Sequence, residues 1–357
     1  MKKRNNLLML ILGGLGGGAV GALMAMHTDT LPQLLVGFVL LFLAVYAQLI
    51  LHEAGHLIAG LLTGYRFVSF RIGSLMLLRR GGRFKWARYR LAGTGGQCLM
   101  APPELKDGAY PNGLYHLGGA AMNLLWAALA GGMLIVRGYS AWWLGTLMAG
   151  LVMGLSNGLP LKMSGLDNDG RNALRSRRDS DVRMGFYRQL QVNAALSEGK
   201  RLRDLPAEWF DCAPGQEYER GYLRFQWLLD REEYDAARAY GQGLADDMPG
   251  VHRALLENDL RCLALLAGEQ PAEFSEAGKR LVKAMGGYPS VLRAQYIFAL
   301  LQEDDRQKAE KIQARFDRML KTYPYPGDVQ ADIALMRLAG QQYSNTSAPR
   351  MNIEKKD

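Results

Sequence analysis

Leu49-Ile50-Leu51-His52-Glu53-Ala54-Gly55-His56-Leu57-Ile58 is the stretch on which the reading of this chain turns. It lies in an apolar run with no Lys or Arg from Asn5 to Tyr65. His-Glu-x-x-His on a helix sets two imidazoles one turn apart on one face, where both can hold one zinc ion. The Glu between them can act as general base toward a water. Taken alone the pattern is short and occurs in soluble helices. In hydrocarbon, two His and a Glu side by side are costly and mark a functional site by default. The expectation is a catalytic Zn2+ centre within a membrane, with His52 and His56 as ligands and Glu53 as base.

Working outward, the 357 residues divide in character. Through Gly170 there are 14 Lys+Arg against 6 Asp+Glu; beyond it there are 29 against 28. The basicity belongs to the apolar half, which points to orientation in a lipid bilayer and not to nucleic acid. Three cysteines, Cys98, Cys212 and Cys262, are too few for a disulfide framework. Lys2, Lys3 and Arg4 precede an apolar run, Leu7 to Met26, that is long enough to span and lacks a clear cleavage site. It reads as a retained first helix.

Four spans are expected, at about 6–26, 34–63, 114–136 and 140–161. The basic segment between the second and third places it and both termini in the cytoplasm. Within it, Arg66–Ile72 and Arg83–Leu91 alternate with period 2, and Gly81-Gly82 is a turn signal, so β-hairpins are expected at the membrane surface. Gly95 and Gly96 permit close backbone approach, which suits an edge strand that accepts an extended substrate. After Asp169 the chain reads as helix pairs starting near Gln216, Pro249, Pro289 and Pro326, a spacing close to a tetratricopeptide period. The fold expected is an α-helical polytopic membrane protein with a small membrane-associated β element, followed by a soluble α-helical, tetratricopeptide-like domain. Its domains would be 1–172 (the membrane domain), 173–215 (a connecting helical segment), 216–340 (cytoplasmic helical repeats, a surface for a protein partner) and 341–357 (a polar, disordered tail).

A catalytic zinc takes three protein ligands and keeps one position open. The fourth span ends in Ser156-Asn157-Gly158-Leu159-Pro160 and runs on to Asp167-Asn168-Asp169-Gly170. Pro160 can break the helix, so either carboxylate can fold back as third ligand. Asp167 and Asp169 are both candidates.

In this set the chain resembles the site-2 protease family of intramembrane zinc metalloproteases. The matching elements, in order, are His52-Glu53-x-x-His56, the Gly119-x-x-x-Asn123 helix, and Asn157-x-x-Pro160 followed by Asp-Gly, over about residues 34–172. The resemblance implies zinc, a carboxylate third ligand, a supporting or oxyanion role for Asn123, and substrate contact at Asn157 and Pro160. It also implies cleavage of a membrane protein or peptide precursor, in a bacterial cytoplasmic membrane. One departure stands: Asp167 is ten and Asp169 twelve residues beyond Asn157, both further than the family pattern places its Asp; Asp169 keeps the Gly of that pattern, so the resemblance prefers Asp169 as third ligand, with Asp167 as the alternative. The competing class is a membrane scaffold without activity that recruits partners through its helical repeats. It has no need of Glu53. A transporter fits less well, since no inverted repeat is evident.

Overall fold

The computed structural model describes residues 17–18, 21–89, 94–163, 166–211, 217–244, 248 and 250–347. The chain packs as two compact units, Met1–Trp86 with Gly93–Ala194, and Ala87–Ala92 with Ala195–Asp357. The expected connecting segment 173–215 thus divides between them.

The first unit is organised by helix α1, Leu31–Leu62. Thr30 and Gln33 form a reciprocal capping box at its start, and Gly64, at φ +85°, turns the chain out of its end. Its burial is inverted relative to a helix in water. Gln48, His52, Glu53 and His56 are buried together with Gly37, Ala44, Gly55 and Gly60. Leu35, Phe38, Val39, Phe42, Val45, Ile58 and Leu61 are exposed. Helix α2, Asn112–Arg137, packs against it, and helix α3, Ala141–Gly158, packs against both. The α1/α2 crossing is close because it is made of glycines. A Cβ at Gly55 would lie 2.3 Å from the Gly118 carbonyl oxygen, and one at Gly118 would lie 2.5 Å from that of Gly55.

Helices α1 and α2 are long and apolar enough to cross a membrane. They correspond to the second and third expected spans. The first expected span, about 6–26, lies largely outside the described residues. The fourth is α3, which is only 18 residues long, against the ~20 a perpendicular span needs.

Between α1 and α2 lies a small antiparallel sheet of β1 (Arg66–Ile72), β2 (Leu75–Arg80), β3 (Arg83–Arg88) and β4 (Gly96–Ala101), in the order β3-β2-β1-β4. Gly81 and Gly82, both at positive φ (55° and 75°), form the turn expected between β2 and β3. Arg90 and Leu91, at the end of the second alternating run, lie outside the described residues. Strand β4 is an edge, and it packs against α1.

After α3, a two-residue pair of strands (Lys162–Met163 and Leu166–Asp167) leads into helices α4, Asp169–Arg178, and α5, Ser180–Ser197.

The second unit holds helices α6 to α12: Glu217–Asp230, Tyr234–Leu244, Gly250–Leu266, Glu276–Ala284, Pro289–Leu301, Arg306–Leu320 and Gln330–Ser347. Successive helices pack in pairs, α6 on α7, α8 on α9 and α10 on α11. Phe225, Leu256, Ile297 and Leu335 centre its core. Arg293 is buried in it, paired with Asp259 and Asp332, and Tyr222 donates to Asp259. The last helix runs to Ser347, into the polar segment expected as a disordered tail; there Gln342 Nε2 donates to the Leu266 carbonyl (2.8 Å) and the Tyr343 hydroxyl to Asp304 Oδ1 (2.8 Å). Residues 348–357 lie outside the described residues. Cys98 and Cys262 are buried free thiols; Cys212 is outside the described residues.

The α1/α2 crossing can be tested directly. Gly55→Ala and Gly118→Ala should each lower the thermal midpoint of the detergent-solubilised chain, by the ~1–3 kcal/mol typical of overpacking. Gly132→Ala, with nothing within 4 Å of the added methyl, should leave it unchanged. Equal midpoints for all three would overturn the close crossing.

Candidate metal centre

His52 and His56 lie one turn apart on the buried face of α1, so their rings must share one space. Their Nε2 atoms stand 3.2 Å apart. Asp169 Oδ2 completes the group, 3.2 Å from His52 Nε2 and 3.5 Å from His56 Nε2. The three side chains present one ligand atom each, all within 4.8 Å of one another, and could hold a metal ion.

The hydrogen bonds behind the rings show which nitrogens are available. His56 Nδ1 lies 2.7 Å from the Tyr115 carbonyl oxygen, which can only accept, so Nδ1 carries the proton. His52 Nδ1 lies 2.7 Å from Asn123 Oδ1. The Asn123 amide is oriented in turn: Nδ2 donates to the Gln48 carbonyl (2.8 Å) and to Gln48 Oε1 (2.7 Å), both acceptors. His52 therefore also donates from Nδ1. Two neutral imidazoles with both Nε2 lone pairs turned toward each other and toward a carboxylate repel unless a shared proton or a metal ion sits among them. The donor set, two imidazole nitrogens and one carboxylate oxygen, is one that zinc accepts. The residues present fit the metal.

Asp169 is the first residue of α4, where the helix N-terminus favours a carboxylate. Burial pushes its carboxyl up, but hydrogen bonding and charge from His52 and His56 outweigh burial and hold it well below the usual carboxylate range. Asp167 does not join the group. Its two oxygens bind Arg171 Nε (2.8 Å) and Arg175 Nη1 (2.6 Å), bracing the start of α4.

Gly170 follows Asp169 for reasons of space. It is helical, not at positive φ, and a Cβ there would lie 2.1 Å from the Gly158 carbonyl oxygen. Asn168 builds the loop. Its Nδ2 donates to the carbonyls of Ser156 (2.5 Å) and Leu159 (2.6 Å), and its Oδ1 accepts from Leu161 N and Arg171 N (3.0 Å each). One amide thus closes the turn after α3 and caps α4.

Glu53 is buried beside the imidazoles, against the start of β4. A Cβ at Gly96 would lie 2.6 Å from Glu53 Oε1, and one at Gly95 would lie 3.0 Å from Leu49 Cδ2. The other residues expected to contact substrate are placed differently. Asn157 Nδ2 donates to the Met153 carbonyl of its own helix (3.0 Å), and Pro160 is exposed on the turn toward Asp169. Neither hydrogen-bonds to the three metal-binding groups among the described residues.

Three contributors escaped the sequence reading, and for Gly119 of the Gly119-x-x-x-Asn123 helix it gave no reason. Gln48 locks Asn123 and also donates to the Thr146 carbonyl (3.0 Å), tying α1 to α3. Tyr115 accepts from His56 and, through its hydroxyl, donates to the Cys98 carbonyl of β4 (2.8 Å). Asn168 shapes the loop, and Gly119 leaves room for the rings: a Cβ there would lie 2.6 Å from His56 Nε2. Gln48 sits four residues before His52, a spacing that could have flagged it. His116 is buried between the rings of Tyr115 and Phe186.

No protein-family model matches the chain, and no curated protein or solved structure matches it.

These contacts rank the variants. His52→Ala, His56→Ala and Asp169→Asn should each abolish stoichiometric metal in the purified chain, read by elemental analysis. Asn123→Ala should weaken metal binding about 10- to 100-fold, as for other groups that orient a metal-binding His. Asp167→Asn should keep the metal. Loss of metal in Asp167→Asn together with retention in Asp169→Asn would overturn the assignment.

Proposed function

We propose that this chain is an intramembrane zinc endopeptidase of the site-2 protease type. The observation that carries the reading is the joining of three converging metal donors to a buried Glu53 that faces the backbone of an edge strand. The inverted burial of α1, polar inside and apolar outside, supports a hydrocarbon setting. The bilayer solvates its leucines and phenylalanines, and the site is sealed within the protein. Four spans in a bacterial cytoplasmic membrane, with both termini and the sheet on the cytoplasmic side, agree with the placement of Lys and Arg.

His52, His56 and Asp169 would hold the ion, which when bound supplies Lewis acidity to a water and to a peptide carbonyl. Glu53 accepts the water's proton at a carboxylate oxygen and delivers it to the departing amine. Asn123 and the Tyr115 carbonyl keep both imidazoles in the metal-binding tautomer throughout. The strand β4 offers main-chain partners to an extended segment beside Glu53. A helical substrate must unwind to use them, since a helix hides its carbonyls in its own hydrogen bonds. The substrate is then a membrane protein or peptide precursor with a helix-breaking segment near the cytoplasmic face.

The paired helices of the second unit, read as tetratricopeptide-like, suit a role in recruiting a cytoplasmic protein partner. A groove along α10, α11 and α12, lined by Tyr296, Arg306, Glu310, Asp317 and Tyr343, offers such a surface. A scaffold without activity would use the same groove, but it leaves Glu53 unexplained.

Glu53→Gln decides between them. The amide cannot take up the proton, so cleavage of a transmembrane reporter should fall by at least the ~100-fold of a lost general base, with metal content unchanged. Partner binding without any metal-dependent cleavage in the wild-type chain would favour the scaffold.

A further inference from the structure

Arg71 belongs by sequence to the basic segment that faces the cytoplasm, yet it is fully buried. No carboxylate pairs with it among the described residues, and its Nε has no hydrogen-bond partner. The charge attraction it has is to the Glu53 carboxylate, beyond salt-bridge distance, so the buried guanidinium depends on its hydrogen bonds. All of them gather one place. Nη1 donates to the Gly73 carbonyl (2.6 Å), and Nη2 donates to Thr94 Oγ1 (2.5 Å) and the Gly96 carbonyl (3.2 Å). These groups surround the first residues of β4.

That segment needs an external hold. A side chain at Gly96 would displace Glu53, and one at Gly95 would crowd Leu49. Having no side chains, they cannot be fixed by packing of their own. The ladder to β1 fixes only alternate residues. Gly73 N donates to the Gly95 carbonyl (2.8 Å), and Arg71 is the partner of Gln97, so the main-chain groups of Gly96 and Cys98 point away from β1. On that outer edge the Cys98 carbonyl is held by Tyr115 and the Gly96 carbonyl by Arg71.

We infer that Arg71 is a positioning residue that clamps Thr94–Gly96 from behind, setting the distance between the substrate-accepting edge of β4 and Glu53. The inference rests on the peptidase reading for its link to activity. The clamp itself does not. Arg suits the position because its planar fork reaches three acceptors at once, which a Lys ammonium on a single flexible stem does not reproduce.

The test uses the purified full-length chain and two separate readouts: amide hydrogen exchange by segment, and steady-state cleavage of an extended transmembrane reporter. In Arg71→Lys, exchange over 95–98 should rise about tenfold, with other segments unchanged. Metal content should stay at the wild-type level. The value of kcat should fall about tenfold and KM should move less, the signature of a loss felt in the transition state. Thr94→Ala, which removes one of the three acceptors, should move both readouts in the same direction by a smaller factor. It carries the test if Arg71→Lys does not fold.

Unchanged exchange over 95–98 in either folded variant overturns the clamp. Faster exchange with unchanged kcat overturns its link to Glu53. Faster exchange across the whole first unit with loss of metal shows a merely structural residue, and overturns the proposal. Faster local exchange in a chain whose wild type cleaves nothing supports the clamp and counts against the peptidase reading.

Discussion

Three electron-pair donors aimed at one point in an apolar surround make a constraint that the rest of the first unit obeys. Two imidazole Nε2 atoms and a carboxylate oxygen held this close repel one another unless a proton or a metal ion sits among them. Everything behind them serves to keep them aimed. The Tyr115 carbonyl and Asn123 Oδ1 take the Nδ1 protons, and Gln48 fixes the amide of Asn123. This chain of acceptors and donors is fully satisfied, which is what makes a polar cluster tolerable inside a low-dielectric interior. It also couples three helices. Gln48, His52 and His56 are on α1, Tyr115 and Asn123 on α2, and the Thr146 carbonyl on α3. The site and the helix packing are one structure.

The same constraint dictates where glycine must stand. Imidazole rings on α1 can meet a loop beyond α3 only if α2 does not fill the gap, so Gly119 faces the rings. The helices must also come close enough for Asn123 to reach His52, so Gly55 and Gly118 meet backbone to backbone. Gly158 and Gly170 do the same where the loop carrying Asp169 docks. None of these needs a left-handed backbone; each is a matter of missing volume. A membrane interior favours this solution, because lipid gives helices no hydrophobic reason to associate and close packing must supply it.

Much of this was legible in the residues, and the failures are instructive. The pattern from His52 to His56 showed two ring nitrogens on one helical face, because a spacing of four is a property of the helix itself. The Gly81-Gly82 turn was legible because two successive positive φ angles demand glycine. What sequence could not show was which atoms lie behind the site. Half of the second layer is main chain: the Tyr115 and Gln48 carbonyls carry no signature of residue type. Asn168 sat between two more conspicuous aspartates, and its four bonds arise only when the loop closes. Asp167 looked a plausible ligand until its partners, Arg171 and Arg175, were seen on the same turn of α4. Arg71 misled for the opposite reason. Its charge was counted with its neighbours, but alternation along β1 turns it inward while Arg66 remains exposed.

The geometry also bears on whether a metal held here would do chemistry, as proposed, or would merely staple the fold. A structural zinc site closes its coordination with four protein ligands. Here the described residues that could hold the ion are three, His52, His56 and Asp169, and Cys98 is not among them. Asp167 is consumed by two arginines. A site meant only to hold helices together would have no use for Glu53, whose carboxylate must be buried next to a strand of bare backbone at a real desolvation cost. That cost is explained if the fourth position belongs to water and the edge of β4 to a peptide. The proposed peptidase gives Glu53 a use, as a base beside a strand at the edge of the sheet; a scaffold does not.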